Sequence, residues 1–511
     1  MSRETSGGAN LYAAFRSSFP KDRHATLLID ELGRYFSYAD AEAVSARLAK
    51  WLVDSGLQAG DRVTVQVEKS VEMLWLYLAC LRAGLVFHPL NTAYSPAELA
   101  YFVANARPGL IVCDKTQVSV MARLADEVGA RVVTLNADGS GSLMALSLET
   151  PADFDCVSRS PRDMAALLYS SGTTGRPKGI MLSHGNLVSN ARALVQAWEF
   201  TGDDVLLHAL PVFHVHGLFV AIGCVLMSGA SMRWLSRYDV SNVLNKLPGS
   251  TVMMGVPTYY TRLLVNAEFS RDHCRTVRLF ISGSAPLLSE TFTEFEQRTG
   301  HRILERYGMT ETGMNTSNPL HGERRPGTVG PALPGVNVRV VDDNGAILSA
   351  GEVGNLQVKG DNVFEGYWQM PEKTVEDFTS DGFFDTGDQG VISVDGYVSI
   401  VGRAKDMVIC GGLNVYPKEV ELLIDTLPGV KESAVIGVPH PDFGEAVVAV
   451  VVAQTAESPP LERDVIEQCK RELANFKVPK RMMLVADLPR NTMGKVQKKQ
   501  LREQFATLFT Q

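Results

Sequence analysis

From about residue 25 to residue 310, short apolar runs alternate with segments of helical periodicity, and no other feature narrows the possible folds as much. Residues 62–67, 110–113, 131–135, 251–255 and 278–282 have the length and composition of buried strands. Helices with legible starts lie between them. Ser95-Pro96-Ala97-Glu98 reads as a capping box with proline at the first helical position. Strands alternating with helices imply parallel pairing, because a crossover helix returns the chain to the same end of the sheet. The expected class is α/β, with parallel-rich sheets flanked by helices. In such sheets ligands gather beyond the carboxyl ends of the strands.

After residue 325 the texture changes. Val336, Val338 and Val340 alternate ahead of Asn344-Gly345, and residues 391–394 and 397–401 flank Asp395-Gly396. Both patterns predict antiparallel hairpins with tight turns, so residues 325–403 read as a β-rich subdomain. Beyond Arg403 a strand near 446–452 and a helix near 460–473 return the chain to mixed patterning. The 511 residues exceed what a single core holds. We expect a large N-terminal domain, 1–403, and a small mobile α+β lid domain, 404–511, meeting between Arg403 and Asp406.

A net charge of −8 argues against a general polyanion binder, so no nucleic-acid partner is expected and any nucleotide site must be locally built. Cysteines 80, 113, 156, 224, 274, 410 and 469 are scattered with no CxxC pair, which fits reduced thiols and a cytoplasmic address. The N-terminus shows no signal-peptide pattern, and apolar stretches such as 218–227 are too short to span a bilayer, so no membrane partner is expected.

Tyr169-Ser-Ser-Gly-Thr-Thr-Gly-Arg-Pro-Lys-Gly179 is the most informative segment. An apolar run feeds into it. Gly172 and Gly175 let backbone N–H groups approach phosphate oxygens, while Ser170, Ser171, Thr173 and Thr174 add hydroxyl donors and Lys178 adds charge. It lacks the GxxxxGK[ST] order of a P-loop. Glycine-serine-threonine clusters alone are usually surface loops, but the preceding strand and the Pro-Lys-Gly ending weaken that reading.

This loop resembles the signature of the adenylate-forming superfamily, which includes acyl-CoA synthetases, firefly-type luciferases and peptide-synthetase adenylation domains. Further motifs of that family follow in order along nearly the whole chain. The resemblance implies ATP, Mg²⁺ and coenzyme A as reactants or cofactors. It places residues 281–286, with Ser282, Gly283, Ser284, Ala285 and Pro286, along the adenine and the acid. Arg306-Tyr307-Gly308-Met309-Thr310-Glu311 then holds the nucleotide, with Tyr307 against adenine, Thr310 near the α-phosphate and Glu311 on Mg²⁺. The Thr174 hydroxyl is a second candidate metal ligand. Asp388 and Arg403 would hold the ribose, Lys405 would be the hinge, and Gly411 and Gly412 would line the pantetheine tunnel. Lys495 would enter from the lid as the catalytic lysine, with Thr310 and Glu311 as its partners in catalysis.

Two further residues bear on the acid. His214 sits in Pro211-Val-Phe-His-Val-His-Gly217, and Arg262 in a helix opened by Pro257. As a metal site His214 and His216 are weak, being two residues apart with no further ligands. Spacing alone leaves Arg262 evenly divided between reaching water and facing a second substrate carboxylate. Segments 208–221, 254–264, 278–288, 303–319 and 489–499 resemble the malonate-activating branch of the family, of α-proteobacterial type. That resemblance implies a small-molecule dicarboxylate held by His214, Arg262 and Ser282, with Val215 and Met309 deciding whether methylmalonate fits. The rival readings are another short- or medium-chain acid, an adenylation domain serving a carrier protein, and a non-catalytic nucleotide- or CoA-binding regulator. Acetylation of Lys495 by a protein acetyltransferase, reversed by a deacetylase, would delete its charge.

Overall fold

The computed structural model describes residues 9–170, 177–403, 406–410, 413–440, 443–473, 475–492 and 494–509. Two sheets dominate the first three hundred residues. A seven-stranded sheet runs Gly366–Tyr367, Lys178–Ser183, Met164–Ser170, Val86–Pro89, Arg62–Gln66, Leu110–Cys113, Arg131–Thr134. An eight-stranded sheet runs Gly313–Ser317, Leu304–Met309, Leu279–Ser282, Val252–Gly255, Val205–His208, Ser231–Trp234, Thr26–Ile29, Tyr35–Ser37. The eight-stranded sheet is parallel through its middle and antiparallel at both margins, and the seven-stranded sheet is parallel except at the Gly366–Tyr367 margin. The α/β reading holds.

The predicted strands fall where the apolar runs are, with Val67 and Leu135 just past their ends. Central strands such as Leu110–Cys113 are buried on both faces, so they lack alternation and read as continuous apolar runs. The Pro96–Ala106 helix starts as its sequence predicts. Ser95 accepts from the Glu98 N–H and Glu98 from the Ser95 N–H.

The β-rich stretch forms a four-stranded antiparallel sheet, Val336–Val341, Gly354–Gly360, Phe384–Ile392, Val398–Arg403. Asp395-Gly396 makes the predicted tight connection, with Gly396 at φ +87°. Asn344-Gly345 turns too, but no hairpin of adjacent strands follows. Past the single bridge of Val341 to Ile347, a second turn with Gly351 at φ +91° redirects the chain, and Val336–Val341 pairs instead with Gly354–Gly360. The last hundred residues carry a five-stranded mixed sheet centred on the long pair Val430–His440 and Gly444–Ala453, with its own apolar clusters on both faces.

Candidate active site

Strand register assembles the site. In the eight-stranded sheet Gly255 pairs with Ser282 and Ser282 with Glu305, so neighbouring parallel strands end side by side. The segments that leave those ends are therefore adjacent: 209–217 after His208, the Pro257–Val265 helix after Gly255, 283–288 after Ser282, and 310–312 after Met309. This is the carboxyl edge where ligands collect.

On one side lies a polar clamp. Asp388 and Arg403 are register partners on antiparallel strands, and Arg403 Nε donates to Asp388 Oδ1 at 2.9 Å. Tyr307 Oη donates to the other carboxylate oxygen at 2.6 Å. Thr386 Oγ1 accepts from the Asp388 N–H at 3.1 Å. Burial, reinforced by the Asp388 charge, raises the Tyr307 hydroxyl well above its ordinary range, so it stays a phenol and a donor. The residues expected against adenine and ribose thus touch one another.

Next to the clamp is a group of buried charges. Lys178 sits 3.6 Å from Asp377 and 4.5 Å from the Tyr367 ring centre, and Asp377 also pairs with Lys373 at 2.8 Å. Glu311 is buried and forms no ion pair among the described residues. Burial pushes its carboxyl up, Arg403 and Lys178 pull it down, and Asp388 pushes it up again. A buried carboxylate with spare oxygens suits a hard cation, and Mg²⁺ is commonly held by one carboxylate, waters and phosphate oxygens. The described residues contain no group of three or more His, Cys, Asp or Glu able to cage a metal alone. Ser170 ends its strand opposite Lys178, which closes the glycine-rich loop. Ser171, Gly172, Thr173, Thr174 and Gly175 lie outside the described residues, as do Lys405, Gly411, Gly412 and the Ser170 side chain.

The other side is built around Arg306. Its guanidinium is buried, with Nε and Nη2 lacking any partner among the described residues. It packs so closely on Gly283 that a Cβ there would strike it. Burial lowers its pKa to about 10, which leaves it charged at neutral pH. His216 Nδ1 lies 3.3 Å from Ser284 Oγ, while His216 Nε2 and Ser282 Oγ have no partner among the described residues. His216 is driven well below its ordinary range by burial and then by the Arg306 charge, and burial takes His214 down to about 4. Ser284 adopts φ +71°, a left-handed backbone rare for serine and frequent at functional sites. Together these set a buried cation beside two imidazoles held neutral at physiological pH, the candidate acyl pocket. Val215 is buried and Met309 half-buried at its margins.

Sequence reasoning assigned Arg306 to the nucleotide and missed this environment. Of the two readings that spacing left open for Arg262, the structure shows its side chain reaching solvent. Tyr260, Leu263 and Leu264 form the buried face of the Pro257–Val265 helix. Arg262 lies one turn beyond Thr258 on the same ridge of the helix, opposite Tyr260. Arg262 instead acts on Tyr259 and Tyr238, whose rings stack at 3.8 Å.

Lys495 lies on a tight turn in which Asn491 N–H donates to Lys495 O at 3.0 Å and Lys495 N–H to Asn491 Oδ1 at 2.9 Å. Arg490 donates to Gly494 O at 2.7 Å and pairs with Glu432, fixing the turn to its own sheet. The turn is seated on the first turn of the Pro257–Val265 helix. A Cβ on Gly494 would lie 3.2 Å from Thr258 Cγ2. The catalytic candidate therefore sits by the same strand ends as the pocket.

Comparison with known proteins agrees with this geometry. The profile described as AMP-binding enzyme matches residues 15–368, and that of the AMP-binding enzyme C-terminal domain matches 419–495. ATP-bound MatB from Rhodopseudomonas palustris is 53% identical, covers 98% of this chain and 100% of its own, and superposes with a TM-score of 0.96. The apo form of that protein superposes at 0.86, with the same identity and coverage. A malonate–CoA ligase of Arabidopsis thaliana is 33% identical over 98% of this chain and 90% of its own. No helix among the described residues is long and apolar enough to cross a membrane.

Proposed function

Because the chain belongs to the AMP-binding enzyme family, we propose that it is an AMP-forming acid–CoA ligase whose acid is malonate, making malonyl-CoA through a malonyl-adenylate. The observation that carries the choice of a dicarboxylate is Arg306, a buried cation with idle donors and no counter-ion among the described residues. An ionised guanidinium out of water is costly unless an anion completes it. A monocarboxylate spends its one charge at the reacting centre and leaves Arg306 unmatched. Malonate has a second carboxylate to offer, which Arg306, Ser282 and the neutral His216 and His214 can hold by hydrogen bonds.

The chemistry asks little covalent help of the protein. A carboxylate is a poor electrophile because its leaving group would be oxide. Attack of one malonate oxygen on the α-phosphorus expels pyrophosphate and makes AMP the leaving group. The thiol of CoA, losing its proton, then attacks the acyl carbon and releases AMP. In the first step Asp388, Arg403 and Tyr307 hold the nucleoside, and Lys178 and the glycine-rich loop hold the phosphates. Thr310 donates to the α-phosphate, and Lys495 neutralises charge on the oxygens in transit. Glu311, with the Thr174 hydroxyl as a second candidate, would hold the Mg²⁺ that screens the phosphate charge. The close superposition on an ATP-bound relative supports reading this arrangement of Lys495 as the one for adenylation.

We place the second step after a rotation of the 404–511 domain about Lys405, which brings Gly411 and Gly412 to the pantetheine. Seven unpaired cysteines support a reducing, cytoplasmic setting. Lys495 is the proposed target of a lysine acetyltransferase and a deacetylase. Pyrophosphate release measured with malonate, methylmalonate, acetate and a medium-chain acid tests the reading. Malonate should be preferred, with methylmalonate second because a methyl group discriminates by only about 1–3 kcal/mol. Preference for a monocarboxylate would remove the dicarboxylate reading, and silence with all four acids would favour a non-catalytic binder.

A further inference from the structure

Lys69 is buried between the two large sheets. It follows the Arg62–Gln66 strand of the seven-stranded sheet and reaches the end of the Val205–His208 strand in the other. Its Nζ lies 2.7 Å from His208 Nδ1, 2.9 Å from His208 O and 3.1 Å from Leu210 O. Burial pulls Lys69 well below the ordinary lysine range, yet three acceptors at bonding distance match the three hydrogens of an ammonium, where a neutral amine offers two. Nζ also lies 4.3 Å from the Trp234 ring centre, and the His208 ring stacks on the same indole at 4.9 Å. Among the described residues Lys69 forms no ion pair. Glu31, whose charge acts on it, accepts from the Ser236 N–H and hydroxyl.

The far nitrogen of the imidazole settles the protonation. His208 Nε2 is 2.9 Å from Gly217 O, and a carbonyl only accepts, so Nε2 carries the proton. Nδ1 then presents its lone pair to Lys69, and the ring is neutral. The loop 209–217, which carries His214, Val215 and His216, is thus tied at both feet to one ammonium–imidazole pair. Its far foot opens the His216–Ala221 π-helical turn, a widened geometry frequent at functional sites. Gly217 is pressed onto the Pro211 carbonyl, so the loop has no slack there. Tyr259 Oη adds a 3.3 Å bond to Ala209 O.

We infer that Lys69, acting through His208, is a positioning residue for the acid: it fixes the wall of the acyl pocket and leaves the nucleotide clamp untouched. The groups it holds belong to the 209–217 loop, and none of Asp388, Arg403, Tyr307 or Lys178 is bonded to it. The inference rests on the acid–CoA ligase reading, and its signature is a split between two Michaelis constants.

In Lys69→Met and His208→Phe enzymes the KM for malonate should rise about ten- to a hundredfold, the scale of a misplacement near 1 Å, with the KM for ATP within about twofold. A second measurement needs no variant. In native enzyme labelled with ¹⁵N-histidine, the His208 ring should show a protonated Nε2 and a bare Nδ1 from about pH 6 to 8. Equal rises in both constants, no rise in either, or a protonated Nδ1 overturns the inference. Native enzyme that releases no pyrophosphate with any acid of the panel sinks the ligase reading, and this inference with it.

Discussion

At the scale of single residues, Arg306 and Tyr307 show why adjacency in sequence misleads. Consecutive residues of a strand face opposite sides, so Tyr307 reaches Asp388 while Arg306 turns toward Gly283. On the proposed reading, a motif read as one functional string serves two substrates. The same geometry ranks the arginines. Arg306→Met should cost malonate turnover about 3–5 kcal/mol, a loss in kcat/KM of roughly a hundred- to a thousandfold. Arg262→Ala should cost less, because a solvated cation holds an anion more weakly than a buried one. Steady-state kinetics on malonate decide the ranking, and equal losses would put Arg262 back in the pocket. The imidazoles carry a prediction of their own. With His214 held down to about 4 it stays neutral above that pH, so the KM for malonate should show no limb near pH 6.5. A break there in a pH profile would mean that the ring titrates freely.

At the scale of elements, strand positions were legible because buried parallel strands are continuous apolar runs, and helix starts because caps are local chemistry. What sequence could not supply was partnership across distance. The Val336–Val341 strand lost its expected hairpin because Gly351 adds a second turn. Lys69 gave only a faint signal, a cation just before the Ser70 helix cap, since His208 lies 139 residues away. Glycines in the site are informative once neighbours are known. Gly283 is required because the Arg306 guanidinium occupies the space of its Cβ. Gly283→Ala should therefore raise the KM for malonate at least about tenfold through displacement of Arg306, while the fold survives. A crystal structure of that variant with Arg306 unmoved would refute the account.

At the scale of the whole molecule, the two half-reactions are separable. Lys495→Ala should lose about 10²–10³ in malonate-dependent pyrophosphate exchange, the scale of losing one charge-stabilising donor. Thioester formation from preformed malonyl-adenylate should change little. Parallel losses in both assays would defeat the division of labour. Acid stability follows from buried histidines. His88, driven down to about 3, and His184, to about 4, stay neutral when folded but take up protons unfolded below about pH 6.5. Their contribution is present above that pH and lost as pH falls toward 4. Glu305 and Asp425, raised to about 7 and about 6, work in the opposite sense, their contribution being lost as pH rises. The histidines, with His208, His214 and His216 shifted the same way, outnumber them. Calorimetry should show Tm falling between pH 6.5 and 4.5, and a Tm that rises there would reverse the balance.

Arg403 grips Asp388 and precedes Lys405, the proposed hinge, by two residues. On that proposal, an axle so near the sugar has a mechanical merit. Points close to a rotation axis barely move, while those far out sweep a long arc. The reactive intermediate can stay parked at the hub while the outlying arm is exchanged for another, so one cradle serves both steps without ever letting go of its cargo.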